Sequence, residues 1–136
     1  MNYYKDAFAN INFDENNGIL TLLWLKETSN MQASDFQRVL EKFADLSLEH
    51  KISKLMVNVE KFGFSDAMGP ELAKWRANTI VPKYNQAGVQ KFAFVHGANF
   101  EEPEGSGKPI EGEIFTTRNF GAESIAIGWL IEGHKD

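Results

Sequence analysis

One histidine stands where an α/β protein would bind a ligand or a substrate. His96 directly follows residues 92–95, a short apolar run typical of a buried strand. Ligands of open α/β sheets collect beyond the carboxyl ends of the strands, and imidazole titrates near neutral pH. The partners expected for acid–base work are Asn58, Glu60 or Arg118, with Arg118 as an anion clamp. A single histidine is not a catalytic triad, and packing of His96 against its loop is the simpler interpretation.

Aromatic side chains follow the first of two apolar runs, at residues 55–59. Two of them lie in a glycine-containing connection, where apolar side chains often line a pocket or an interface. The others follow on a predicted helix, and part of the group must belong to the core. The sequence therefore predicts a pocket for a small apolar ligand or a self-association surface. The candidate binding residues are Phe62, Phe64, Trp75, Tyr84, His96 and Arg118.

Residues 97–112 are rich in acid, glycine and proline, and we predict a mobile surface loop there. Its glutamates do not follow the spacing of an EF-hand loop. The segment Gly-Ser-Gly-Lys at 105–108 lacks the first glycine and the final hydroxyl residue of a P-loop. The histidines show no zinc-binding spacing. We expect no metal, no cofactor and no assembled catalytic residues.

Composition excludes several classes of protein. A chain of 136 residues with 43% hydrophobic content predicts one domain, residues 1–136, large enough for a core. The net charge of −5 without a basic cluster argues against nucleic acid as a partner. No apolar run reaches the roughly 20 residues of a membrane span. The absence of cysteine and of a signal-peptide pattern predicts a cytoplasmic protein.

Residues 54–95 organise the predicted fold. Both apolar runs are hydrophobic on both sides, which is the pattern of central parallel strands. Between them, Pro70 favours a helix start, Pro82 must end or kink the helix, and Gly88 suits a left-handed cap. The spacing predicts a right-handed βαβ unit.

The flanking segments predict the remaining elements. Alternation at residues 9–14, Asn17-Gly18 and an apolar run at 19–25 predict a β-hairpin. A helix is predicted from Ser34 to about Glu49 or His50, an edge strand at 113–117, and an amphipathic last helix from 122 to a cap at Gly133. The predicted fold class is α/β, a single-layer mixed, mostly parallel sheet of about five strands with an N-terminal β-hairpin, flanked by about four helices.

This order of elements resembles the STAS superfamily, and within it the SpoIIAA-like branch, which is related to CRAL-TRIO lipid-binding domains. The resemblance covers nearly the whole chain. Its features are Trp24, the spacing of Trp75, Pro82 and Gly88-Val89, the run Lys91-Phe92-Ala93-Phe94-Val95, and Arg118-Asn119-Phe120 ahead of Ala126-Ile127-Gly128-Trp129-Leu130.

The resemblance implies a non-enzymatic binding or regulatory module with a protein partner, or one that self-associates as a dimer. STAS antagonists of anti-sigma factors carry a phosphorylated serine in an Asp-Ser-Ser-Gly-like motif. The matching stretch here is Asp66-Ala67-Met68-Gly69, which offers no hydroxyl to a phosphate. The phosphorylation switch therefore does not carry over. The alternative function is a carrier or sensor of a small apolar, lipid-like ligand.

Overall fold

The computed structural model describes residues 1–107 and 112–132, in which six strands form one sheet in the order of the chain. The first three strands pair antiparallel, and the third to the sixth pair parallel. The strands are β1 Asn2–Lys5, β2 Ala9–Asp14, β3 Ile19–Trp24, β4 Lys54–Asn58, β5 Lys91–Val95 and β6 Thr116–Phe120. The helices are α1 Ala33–Glu49, α2 Pro70–Trp75, α3 Val81–Ala87 and α4 Glu123–Ile131. Within this part of the chain, none of the helices could cross a membrane.

The central strand β4 is buried along its whole length. Leu55 and Val57 face the core beneath α1, α2 and α3, whereas Met56 faces the smaller core beneath α4. Helices therefore cover both faces of the parallel part of the sheet, as the apolar runs predict.

The helical crossover between β4 and β5 contains an irregular turn. Pro70 begins α2, and a π turn at Arg76–Ile80 joins α2 to α3, which carries Pro82 in its first turn. The Val81 N–H bonds to the carbonyl of Arg76, five residues earlier. Proline cannot donate the next helical hydrogen bond and its ring crowds the preceding turn, which the wider π turn accommodates. Pro82 is predicted to end or kink the helix, and in the structure the helical segment continues through a π turn instead of ending.

The α/β class, the mixed and mostly parallel sheet and the N-terminal hairpin are confirmed. The sheet has six strands rather than about five, because Asn2–Lys5 pairs with β2. The edge strand lies at Thr116–Phe120, later than predicted, because Phe115 packs into the core instead and pairing with β5 begins at Thr116. The predicted cap at Gly133 lies outside the described residues.

The start of α1 and part of the predicted loop differ from their predictions. Helix α1 ends at Glu49 as expected, but it begins after Gln32, whose N–H donates to the Asp35 carboxylate. In the predicted mobile loop, Gly105 and Ser106 are bonded to β6: the Gly105 N–H bonds to Asn119 O, and the Asn119 N–H to Ser106 O. Residues 108–111 of that loop lie outside the described residues, and its mobility stays a prediction.

Asp6 joins the first two strands to α1. Its carboxylate accepts hydrogen bonds from the Phe8 and Ala9 N–H groups, from the Tyr4 hydroxyl at 2.6 Å and from Arg38 at 3.1 Å. Burial by itself would raise the pKa of Asp6, but these hydrogen bonds outweigh it and lower the pKa below the ordinary 3.8. The carboxylate therefore contributes to stability in its charged form.

Replacement of a glycine by alanine should have opposite effects on stability at Gly88 and at Gly128. Gly88 has φ +87°, whereas Gly128 lies inside α4, and a Cβ added to either would meet no atom within 4 Å. We expect Gly88→Ala to lower the free energy of unfolding by about 1 kcal/mol through backbone strain. Gly128→Ala should raise it by up to about 1 kcal/mol, since alanine favours the helix. Urea denaturation measures both, and equal signs would contradict the assigned backbone conformations.

Asp6→Asn should destabilise the protein at neutral pH and change the dependence of its stability on pH. The folded-state pKa of Asp6 is depressed, so its contribution is complete above the unfolded value of about 3.8 and is lost as the pH falls through the folded value. The difference in unfolding free energy between wild type and Asp6→Asn should therefore shrink below pH ~4. Glu15→Gln, at an exposed turn residue, is the control. A difference that stays constant down to pH ~2 would show that the carboxylate is not the source.

Candidate ligand-binding site

A cavity of about 380 Å³ lies at the carboxyl ends of the parallel strands, between the sheet and the helices α1 to α3. Its lining is mainly apolar, and its volume falls in the ~300–1,000 Å³ range of small-molecule pockets. The lining residues are Trp24, Phe36, Leu40, Val57, Val59, Phe62, Ala67, Arg76, Val81, Tyr84, Phe92, Phe94, His96 and Asn119.

Two groups of packed aromatic rings contribute side chains to the lining of this cavity. The Phe36 cluster consists of Trp24, Phe36, Phe62, Phe64 and Trp75, with ring centroids 5.0–6.5 Å apart. The Phe92 cluster consists of Phe43, Tyr84, Phe92, Phe94 and Phe115, with centroids 4.9–6.4 Å apart. These distances suit favourable aromatic pairing, so the rings of each cluster stabilise one another.

A buried hydroxyl holds the connection that carries Phe62. Thr28 is fully buried, and its Oγ1 accepts a hydrogen bond of 2.8 Å from the Gly63 N–H while donating to the carbonyl of Leu25. The Phe62 N–H bonds to the carbonyl of Val59. The connection after β4 is therefore fixed against the end of β3, and Phe62 is directed into the Phe36 cluster.

His96 lies at the cavity beside Asn119. Its Nε2 is 2.7 Å from Asn119 Oδ1, and its ring stacks on Phe100 with centroids 5.0 Å apart. Because Asn119 Nδ2 donates to the carbonyl of Ser106, its Oδ1 is the atom turned to the imidazole. Nε2 must therefore carry a proton and donate it to Asn119.

The predicted binding residues divide into three groups. Phe62, Tyr84 and His96 line the cavity. Phe64 and Trp75 pack against Phe36 and form part of the wall behind it. Arg118 lies over Trp129 of α4, with 5.4 Å between the guanidinium and the ring centroid. Since neighbouring residues of a strand face opposite sides of the sheet, Asn119 faces the cavity and Arg118 faces α4.

Asn58, another partner expected for His96, is engaged elsewhere, whereas the Glu60 carboxylate lies beside Gly97. Asn58 donates to Glu123 Oε2 at 2.8 Å and accepts the Glu60 N–H, so both of its polar atoms are occupied. The geometry therefore does not assemble His96, Asn58 and Arg118 into one site. Within residues 1–107 and 112–132, no group of three acidic or histidine side chains is arranged to hold a metal ion.

Two polar groups in the lining come from the crossover helix. Burial raises the pKa of the Tyr84 hydroxyl well above its ordinary value, and the nearby positive charge of Arg76 partly opposes this. The phenol is therefore neutral at physiological pH. Arg76 is half-buried, and its Nε is buried without a hydrogen-bond partner in the described part of the chain.

Sequence reasoning passed over Arg76 although a signal was present. Leu72, Arg76, Ile80 and Tyr84 recur every four residues, which puts the arginine in the middle of the apolar face of the helix. A cation at such a position indicates a buried or cavity-facing charge. Trp24, Phe36 and Asn119 also line the cavity, but only the pairing of distant strands brings them to it.

A cavity-filling substitution distinguishes this space from the packed core. Ala67 lines the cavity, whereas Ala44 is fully buried in the core but outside the lining. We expect Ala67→Leu to leave the free energy of unfolding unchanged or raise it by up to ~1 kcal/mol. Ala44→Leu should lower it by about 1–3 kcal/mol through overpacking. Chemical denaturation compares the two, and an equal loss in both would show that no space exists beside Ala67.

Comparisons with protein-family models, curated proteins and solved structures found no match to this chain. The cavity is therefore the feature that bears on function. The informative features are its size, its aromatic walls and the few polar groups, Arg76, Tyr84, His96 and Asn119, that interrupt them.

Proposed function

We propose that this protein binds one small apolar ligand in the aromatic cavity and acts as its carrier or sensor. The observation that carries the proposal is the cavity of about 380 Å³ at the carboxyl ends of the parallel strands. Protein interiors are normally packed as densely as organic crystals, so a space of this size requires a reason. At roughly 30 Å³ per small heavy-atom group, it has room for about a dozen heavy atoms.

The chemistry of the lining supports binding more than catalysis. The described lining residues include no carboxylate and no serine, threonine or cysteine. The Tyr84 phenol is kept neutral by burial, and the His96 Nε2–H is already used by Asn119. Aromatic and aliphatic walls with a few polar groups are the usual composition of a pocket that holds a largely apolar molecule.

The second candidate function is a STAS-like interaction module. One observation relates it to ligand binding in the cavity. Ala67, in the stretch that matches the phosphorylation motif of STAS antagonists, is buried against the cavity. A ligand there would contact the segment that carries the regulatory signal in that family, which favours a sensor over a simple carrier. The connection offers little apolar surface to a partner, since Phe64 is buried and Phe62 half-buried.

Native mass spectrometry of protein purified without detergent tests the proposal. We expect a single bound molecule of about a dozen heavy atoms, or uptake of one molecule of decanol when the cavity is empty. Ala67→Leu should weaken decanol binding at least about tenfold, because the added side chain takes up cavity volume. Trp24 lies in the lining, so tryptophan fluorescence provides an independent titration.

Ile125→Ala, at an exposed position of α4 outside the cavity, is the matched control and should bind like wild type. Absence of uptake in wild type, or equal uptake in wild type and Ala67→Leu, would contradict the cavity as the binding site. A dimer that holds no small molecule would instead support the interaction module.

A further inference from the structure

Arg76 places a cation at the wall of a mainly apolar cavity. It lies at the start of the π turn and lines the cavity together with Val81 and Tyr84. Among the described residues, its Nε has no hydrogen-bond partner and no acidic side chain forms an ion pair with it. A buried donor left unsatisfied is costly, and charged donors cost more than neutral ones.

Two other polar groups of the lining are already bonded to each other or to the backbone. Asn119 uses its amide on the carbonyl of Ser106 and its oxygen on His96, and the His96 Nε2–H is used in the same contact. The Arg76 Nε–H has no such partner in the described part of the chain, and Arg76 lines the cavity. The π turn contributes to this arrangement, because the carbonyl of Arg76 is bonded to Val81 and the residue is held at the cavity wall.

Guanidinium and carboxylate groups match in shape as well as in charge. The planar fork of arginine can donate two parallel hydrogen bonds to the two oxygens of one carboxylate, one of them from Nε–H. An anion at this position would satisfy the buried donor and neutralise its charge, while the aromatic walls would enclose an apolar body. A cationic or strictly neutral ligand would leave the Arg76 charge unpaired.

We propose that the ligand is an apolar monocarboxylate whose carboxylate pairs with Arg76 and whose hydrocarbon body lies between the Phe36 and Phe92 clusters. This inference rests on the proposed function and specifies the chemical class of its ligand. The cavity volume of about 380 Å³ suits a single medium-length chain of the size of decanoate rather than a two-chain lipid.

The test compares decanoate, decanol and decylamine, which share the chain and differ in the charge of the head group. We expect wild type to bind decanoate about ten- to a hundredfold more tightly than decanol at neutral pH, and decylamine most weakly. Arg76→Met should remove this preference by weakening decanoate about ten- to a hundredfold, with decanol changed less than about threefold. Calorimetry or tryptophan fluorescence gives the affinities.

Lys74→Met is the matched control, since it removes the same charge from an exposed position of the same helical segment. It should keep the preference for decanoate. Arg76→Lys retains the charge without the fork and should lie between wild type and Arg76→Met, which also covers the case in which the methionine variant does not fold. In the wild type, the Arg76 Nε–H resonance should shift on addition of decanoate and not on addition of decanol.

The possible outcomes distinguish failure of the carboxylate assignment from failure of the proposed ligand-binding function. If wild type binds none of the three molecules, the proposed ligand-binding function fails. If it binds decanol as tightly as decanoate, or if Arg76→Met weakens both equally, the cavity binds apolar molecules but the carboxylate assignment is overturned.

Discussion

Burial of β4 on both faces is the constraint on which the rest of the structure depends. All five of its residues are buried, and its backbone is paired with β3 on one side and β5 on the other. A strand without a solvated face needs cover above and below, which α1 to α3 provide on one side and α4 on the other. Parallel pairing also brings the carboxyl ends of β3 to β6 to one edge of the sheet. That edge is where the cavity lies.

The cavity itself follows from the shapes of the residues at that edge. Rings from β3, α1, β5 and the connection after β4 contact each other at their edges and faces, and planar groups with few rotamers do not close every gap. Ala67 stands at the wall where a larger side chain would fill the space. The Thr28 hydroxyl ties the Phe62 connection to the end of β3, so collapse of the wall would break a buried hydrogen bond.

The crossover helix connects this apolar space to its charge. Pro82 forbids a regular helical hydrogen bond, and the chain adopts a π turn at Arg76–Ile80 instead of ending. Arg76 begins that turn on the same face as Leu72, Ile80 and Tyr84. Its guanidinium consequently meets aromatic and aliphatic neighbours and influences the ionisation of Tyr84. Arg76 thus stands where the regular helix passes into the π turn and lines the cavity from there.

The sequence by itself determined the fold class, because hydrophobic periodicity, the Asn17-Gly18 turn and the Pro70 and Gly88 caps are local signals. It did not reveal β1, whose four residues show little apolar pattern and depend on pairing with β2. It also indicated an aromatic pocket after β4, with Phe62, Tyr84 and His96 among its residues. Only the tertiary structure decided that Asn119 faces His96 while Arg118 faces α4, since a shift of one residue in strand register exchanges the two. The same holds for the meeting of Trp24, Phe36 and Arg76 around one space, because they lie on three separate elements and no local pattern gives the distances between them.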